Sequence, residues 1–448
     1  MRRRGQLPPG PPLPSSVQAL IWARAPLPFM ERAHERYGEI FTLRVRRGRP
    51  WVLLSNPAHI KQVFTTASER FGAGAGEANP LLGPLLGPSS VMLLDEPLHM
   101  QDRKRITPAF HGGLMDRYGE MMVEVARREV ACWPVAEPFP LWPRMQAISL
   151  EVVMRATFGN VQGERFDRLR ERVVELTNWI NQPRRLALLA AVGSRSITAG
   201  RQFREVMDPV EQLVLDEVHE RRRRGPVGGD AGFEGILATL ERSHAGDGSP
   251  MSETKVRDEL ITLVSDGPTA TSLAWAFERL LRHPDKFARL RDEIRRGEEE
   301  IYLDAVVKEV LRLCPAVPLV MRRLIEPMQV GHYTIPAGTI LAPSVYLTHL
   351  REDLYPNARE FEPERFLDQQ AGTYSWIPFG GGVRRCVAAV FAQLEMRRVI
   401  QTIVRAVDLR AVQARPEGAA RSSVSFAPDG GGLVIAEPLA RRAEELVA

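Results

Sequence analysis

The stretch FGGGVRRC, Phe379 to Cys386, runs from a glycine-rich loop into the helical pattern AAVFAQLEMRRVIQTIVRAV. A thiol at the N-terminus of a helix feels the positive end of the dipole and the unpaired amide donors, which lowers its pKa and keeps it anionic. Such a thiolate binds metal. Glycines before it let a flat ligand approach the backbone, and Arg384, two residues back, pairs with an anionic group of that ligand. Cys132 and Cys314 lie far off in the chain, and no CxxC pair occurs. A metal held by one protein ligand must bring its other ligands with it, as iron does in haem. A buried, inert cysteine behind a glycine loop fits the same residues.

Other stretches combine charge or helix breakage with helical spacing. Glu309 and Arg312, in YLDAVVKEVLRLCPAV, fall on one face of a predicted helix, the usual spacing of a surface ion pair. His99 and Arg103, in DEPLHMQDRKRITPAF, also share a face, which suits a solvated amphipathic helix as well as a cationic clamp. In LVSDGPTATSLAWAF, residues 263–277, Asp-Gly-Pro interrupts an apolar helical run. Ser252 can cap a helix from Glu253, and apolar or small residues at 256, 260, 263, 264, 267, 271, 274, 277 and 281 keep one phase through the interruption. One kinked helix is therefore expected rather than two helices and a loop. A proline inside a helix lacks the amide hydrogen and crowds the carbonyl four residues back, here that of Val264, at a cost of about 3 kcal/mol.

These residues need elements to place them. The chain has 448 residues, 44% hydrophobic and 26% charged, an ordinary globular balance with enough length for a large core. Its 60 Lys+Arg barely exceed its 55 Asp+Glu, so a nucleic-acid partner would need a local basic patch, and only small clusters occur. Three scattered cysteines argue for a reducing compartment and against a disulfide framework or zinc site. The segment of about residues 1–30 is Pro-rich and has no apolar run near the roughly 20 residues of a membrane span, nor a signal-peptide core. It is expected to run over the surface of a cytoplasmic protein without a transmembrane anchor. Helical periodicity dominates, as in 115–133, 166–180 and 207–224, while IFTLRV, PWVLLS and GHYTIPAGTILAPSV read as strands. The fold class is mostly α with minor β, in one domain over 1–448. Gly/Pro-rich 72–90 reads as a loop over a pocket and 225–235 as a solvated connection. GAGAGE lacks the strand and helix of a dinucleotide loop, and no Gly-Lys-Ser/Thr occurs.

FGGGVRRCVA resembles the haem-binding signature of the cytochrome P450 family, Phe-x-x-Gly-x-Arg-x-Cys-x-Gly, with Ala388 in place of the last glycine. The resemblance covers nearly the whole chain. It implies the single-domain P450 fold with haem b, a long central helix over the distal haem face, Cys386 as the metal ligand, and Phe379 against the cofactor. By the same resemblance Glu309 and Arg312 are buried and joined by Arg365 of FEPERF, a structural lock behind the haem. His99, Arg103, Arg322 and Arg384 would grip the haem propionates, since guanidinium groups suit bidentate binding of carboxylates. Whether Arg322 or Arg323 points inward stays open, and Cys314 is given no role beyond packing. Pocket walls are implied at Ser90, Val91, Val264, Gly267, Val317 and Leu319.

The central run departs from the family pattern. Aligned without gaps, Gly267 stands where the family has an acid and Pro268 where it has an alcohol, so the usual proton-relay pair is missing. Pro268 would open the oxygen groove by steric force alone. Asp266 and Thr269 flank the gap as substitute relay groups, and a substrate hydroxyl or ordered water is the other source. Some P450-type peroxygenases carry proline here beside an arginine, but the neighbour in this chain is Gly267. The resemblance implies a monooxygenase that oxidises a small apolar organic substrate with dioxygen, with electrons from a separate ferredoxin-type donor and its reductase. A peroxide-driven peroxygenase, other atypical P450 chemistry, or a haem-thiolate binding protein without turnover are the alternatives. A monomer is expected, with a basic docking patch of Lys104, Arg105, Arg385, Arg397 and Arg398.

Overall fold

Two helices, Glu253–Val264 and Pro268–Arg282, run through the main apolar core. Ser252 caps the first, its hydroxyl accepting from the Lys255 amide at 3.3 Å. Trp275 ties the second to the strand Ser425–Pro428 through a 2.7 Å bond from its indole N–H to the Phe426 carbonyl. The expected kinked helix is thus two helices. Pro268 is the first residue of the second one, where a missing amide hydrogen is no loss, so the penalty of a mid-helix proline is not incurred. Ser265 keeps helical dihedrals, φ −85° and ψ −3°, whereas Gly267, at φ −120° and ψ 9°, does not, and Asp266 lies outside the described residues.

The computed structural model describes residues 7–45, 49–73, 82–159, 163–180, 182, 197–224, 235–243, 250–265, 267–297, 299–368, 370–422 and 425–439. Around the central pair pack the helices Leu114–Ala131, Leu141–Phe158, Ile301–Leu313 and Ala389–Ala406, whose apolar faces share one core. The other helices expected from periodicity are Glu164–Ile180 and Ile197–Arg224. The fold is mostly helical.

The largest sheet has five strands in the order Ile40–Leu43, Trp51–Leu54, Ile340–Pro343, Arg322–Leu324 and Phe71–Gly72. Trp51–Leu54 and Ile340–Pro343 pair in parallel and the other neighbours antiparallel. GHYTIPAGTILAPSV is therefore two strands, Tyr333–Ile335 and Ile340–Pro343. Arg322 and Arg323 are successive residues of one strand, so their side chains leave on opposite faces.

The Pro-rich N-terminal segment is more built-in than its composition suggests. It carries the helices Ser15–Arg24 and Pro26–Tyr37, and Gln18 is fully buried, its amide donating to the Pro11 and Leu13 carbonyls. Thr42 in the first strand donates to the Pro8 carbonyl at 2.7 Å. Among the described residues no helix is long and apolar enough to cross a membrane. Of the Gly/Pro-rich stretches, 74–81 and 225–234 lie outside the described residues. The rest of the first sits on the upstream central helix: Leu85 and Leu86 are buried, and Ser89 N–H donates to Asp258 at 2.9 Å. Gly87 has φ +78°, and a Cβ there would lie 2.2 Å from the Asp258 carboxyl carbon, so glycine is required twice over.

Candidate active site

A cavity of about 410 Å³ lies against the central helices. The glycine-rich loop contributes Phe379, Arg384 and Cys386 to its wall, the helix Leu98–Ile106 contributes His99 and Arg103, and the sheet contributes Arg322. Glu259, Thr262 and Leu263 line it from the upstream central helix, and Pro268, Thr269 and Ser272 from the downstream one.

The thiol is presented by a tight loop. Gly382–Arg384 form a 3-10 turn, and the Cys386 amide donates to the Phe379 carbonyl at 2.9 Å. The following helix begins at Ala389, so Cys386 lies three residues ahead of it rather than in its first turn. Gly380 and Gly382 have φ of +68° and +65°, where glycine is favoured. A Cβ on Gly381 would fall 2.2 Å from the Phe64 ring, and one on Gly382 2.5 Å from the Phe64 carbonyl. These two glycines thus admit the helix Pro57–Thr65, a neighbour within the protein that sequence spacing did not anticipate. Cys386 is half-buried. Cys132 is exposed, and burial pushes the Cys314 thiol up to about 12, consistent with a packing role.

Three guanidinium groups and one imidazole converge on the same cavity. Arg322 is the inward member of its pair, donating to the carbonyls of Met321 at 2.8 Å and Gly381 at 3.4 Å. Burial, aided by Arg384, pulls its guanidinium down to about 9. Arg323 instead turns to Asp95 at 3.1 Å. Arg384 donates to the Leu94 carbonyl at 2.6 Å, and burial lowers its pKa. Arg103 is also lowered by burial, with Cys386 acting in the opposite sense. Among the described residues none of Arg103, Arg322 and Arg384 has a salt-bridge partner. His99 is buried and its Nδ1 lies 2.8 Å from Glu96 Oε1. Burial first, then Arg384, holds its pKa below the ordinary value, with Glu96 opposing. Glu96 stands three residues before His99 in the sequence, a signal that went unread.

Glu309, Arg312 and Arg365 lie together in one buried ion cluster. Glu309 and Arg312 are fully buried and bonded at 2.7 and 2.8 Å, and Arg365 reaches Glu309 at 3.2 Å. His349 joins it unannounced: its Nδ1 lies 3.0 Å from the Arg312 carbonyl, and its Nε2 accepts from the Ile377 amide at 2.9 Å. Burial, then Arg312, pushes its pKa down to about 3. A lone histidine in an apolar stretch gave no hint of this.

Other sequence-based expectations need correction. Val91, Val317 and Leu319 line the main cavity, but Val264 and Gly267 face a separate cavity of about 90 Å³. The break between the helices rotates the assignment by one residue, bringing Leu263 to the main wall in place of Val264. Ser90 is fully buried, its hydroxyl 2.7 Å from that of Thr262. Thr269 reaches the main cavity, whereas Asp266 lies outside the described residues. The basic patch is largely neutralised: Arg105 pairs with Asp102 at 2.6 Å, Arg397 with Asp304 at 3.1 Å, and Arg398 with Glu300 at 2.6 Å. Lys104 and Arg385 are exposed without a salt bridge among the described residues.

Three buried or half-buried guanidinium groups without a salt bridge among the described residues suit an anionic ligand, although Glu96 and Asp95 act on Arg384 from a distance, and the thiol on the same wall suits a metal that carries its own ring of ligands. An iron porphyrin with two carboxylates fits both demands. Fold and site together define a haem-thiolate protein. The cytochrome P450 family profile matches residues 8–430. Cytochrome P450 135B1 of Mycobacterium tuberculosis is 37% identical over 441 residues, covering 96% of this chain and 91% of that one. Cytochrome P450 138 of Mycobacterium bovis is 34% identical over 438 residues, with 96% of each chain covered. Among solved structures, retinoic acid-bound cyanobacterial CYP120A1 matches with a TM-score of 0.82 over 97% of this chain and 100% of that chain, at 21% identity, a likeness of fold. The chain belongs to the cytochrome P450 family, whose members are haem-dependent monooxygenases.

Proposed function

We propose that this P450 oxidises a small, largely apolar organic molecule with dioxygen and electrons from a ferredoxin-type donor and its reductase, acting as a cytoplasmic monomer. Haem b, held by Cys386, supplies the oxygen-activating chemistry when bound. The observation that carries the assignment is the convergence of Arg103, Arg322 and Arg384, none in a salt bridge among the described residues, on the cavity that Cys386 lines. Arg103, Arg322 and Arg384, with His99, would hold the propionates. With Nδ1–H donating to Glu96, the ring would offer a propionate a donor at Nε2 when it carries both protons. Phe379 and Ala388 pack against the ring near Cys386.

The distal wall lacks the family's acid-alcohol pair at Gly267 and Pro268. Thr269 and Ser272 remain as hydroxyls there, but Ser272 donates to the Pro268 carbonyl at 3.2 Å. Thr269 Oγ1 is therefore the group best placed to hand on a proton, together with a hydroxyl or water brought with the substrate. Lys104 and Arg385 are the cations left to meet an acidic electron donor.

The test uses carbon monoxide on the reduced, haem-loaded protein. The wild type should give the long-wavelength Soret band of a thiolate ligand. Cys386→Ala should lose that band and retain little haem, whereas Cys132→Ala and Cys314→Ala should keep both. A thiolate spectrum that survives Cys386→Ala overturns the assignment.

A further inference from the structure

Glu259 is a carboxyl that the fold buries and leaves half-satisfied. It is 1% exposed, lines the main cavity, and shares a helix face with Thr262 and Leu263, three and four residues on. Its Oε1 accepts from the Val91 amide at 3.0 Å. Its Oε2 has no hydrogen-bond partner among the described residues. The nearby charges are committed elsewhere. Lys255 pairs with Asp102 on the helix Leu98–Ile106, and Asp102 also takes Arg105. Asp258 takes Arg257, which reaches on to Glu211 of the helix Ile197–Arg224. Among the described residues no salt bridge joins a cation to Glu259, and Lys255, the cation that acts on it, is held by Asp102.

We propose that Glu259 is the polar anchor for the substrate, donating a hydrogen bond from Oε2 to a carbonyl or hydroxyl oxygen on an otherwise apolar molecule. Burial first, then Asp102, pushes this carboxyl up to about 8, with the Val91 amide and Lys255 opposing and Asp258 assisting. The shift favours the neutral acid near neutral pH. A neutral carboxyl must place its one proton, and because Oε1 accepts from Val91, the proton belongs on Oε2, the atom that faces no protein partner. A buried polar group without a partner is destabilising, and a ligand oxygen at this atom removes that cost. The inference rests on the monooxygenase proposal and narrows its substrate class to molecules bearing an acceptor oxygen set apart from the carbon to be oxidised.

The experiment is calorimetric titration of haem-loaded protein with carvone and limonene, matched monoterpenes that differ by one carbonyl. The wild type at pH 6.5 should bind carvone about tenfold more tightly than limonene, the scale of one buried hydrogen bond. Raising the pH through 8 should weaken carvone, because the ionised carboxylate cannot donate, and leave limonene unchanged. Glu259→Gln, which keeps a donor, should retain the preference and lose its pH dependence. Glu259→Leu should bind the two ligands equally. Equal affinity in the wild type, or no binding of either, overturns the proposal, as does a carvone preference that survives in Glu259→Leu. A Glu259-dependent preference for carvylamine over carvone would reassign the ligand to a cation and overturn it too. The carbon monoxide spectrum should stay the same in all three proteins, so failure here is distinguishable from failure of the haem-thiolate assignment.

Discussion

Removing the negative charge of the lock tests whether its buried ions hold the fold. Arg312 has five N–H donors and each is used: two on Glu309, and three on the carbonyls of His349, Ala358 and Glu360. Glu309 Oε1 accepts from Arg312, the Glu362 amide and Arg365, and Oε2 accepts from the Arg312 Nε–H. Glu309→Gln must turn its amide group toward at least one of these donors, and it leaves the Arg312 charge in the interior without its counter-ion. Breaking a fully buried pair in this way costs about 3–5 kcal/mol, a large part of the roughly 5–15 kcal/mol that stabilises a domain. Arg365→Gln should cost less, about 1–2 kcal/mol, because that side chain is 10% exposed and gives Glu309 a single 3.2 Å bond. Arg312→Lys keeps the charge but offers three donors to five acceptors, and should fall between them. Urea midpoints read by circular dichroism and by haem absorbance give the order. A Glu309→Gln protein within about 1 kcal/mol of the parent, or an Arg365→Gln protein that is the weaker of the two, refutes the reasoning.

Two neighbours in the strand Arg322–Leu324 should respond oppositely to removal of charge: Arg322→Leu should raise the haem dissociation rate by about tenfold or more, and Arg323→Leu should change it less than about threefold. Transfer of haem to apomyoglobin measures both rates. Acid should find His349, whose pKa burial pushes from the ordinary 6.5 down to about 3. The unfolded chain takes up this proton first as pH falls, so stability is intact above about 6.5, is lost from there down toward 3, and at pH 5 is lower by about 2 kcal/mol. His349→Leu should be less stable at pH 7, since it strands the Ile377 amide and the Arg312 carbonyl, yet it should lose about 2 kcal/mol less than the parent between pH 7 and pH 5. An equal acid loss in the two proteins would show that His349 is not the group that titrates.

What could be read from the sequence was whatever depends on local order. Glycine and cysteine within one loop, or glutamate and arginine three apart on one helix, are fixed by the backbone between them, so Cys386, Glu309 and Arg312 were found before any contact was known. The choice between Arg322 and Arg323 was not local: it depends on which face of the strand meets the cavity, and only the pairing of Arg323 with Ile340 and Asp95 settles it. His349 and Glu259 were missed for the same reason. Each acts through partners far along the chain, Arg312 and Ile377 for the one and Val91 for the other. The arginines of the expected docking patch were visible, but Glu300 and Asp304, which neutralise two of them, sit on the far side of a fold that spacing does not describe.

The proline at the centre of the chain has a different consequence from the one its cost first suggested. A helix that stops at Val264 and restarts at Pro268 relieves the strain by itself, so no compensating interaction is needed. The break instead decides which side chains see the substrate. Position 267 lines the small cavity, and a Cβ there meets nothing within 4 Å, so a side chain has room at this position. With Thr262, Leu263 and Glu259 turned to the main wall upstream of the break and Thr269 downstream, the polar groups of the distal side lie at its two ends, with Pro268 between them. A substrate anchored by oxygen at Glu259 would lie along the upstream helix and leave the space beside Thr269 for water, which is the arrangement a site without its own acid-alcohol pair requires.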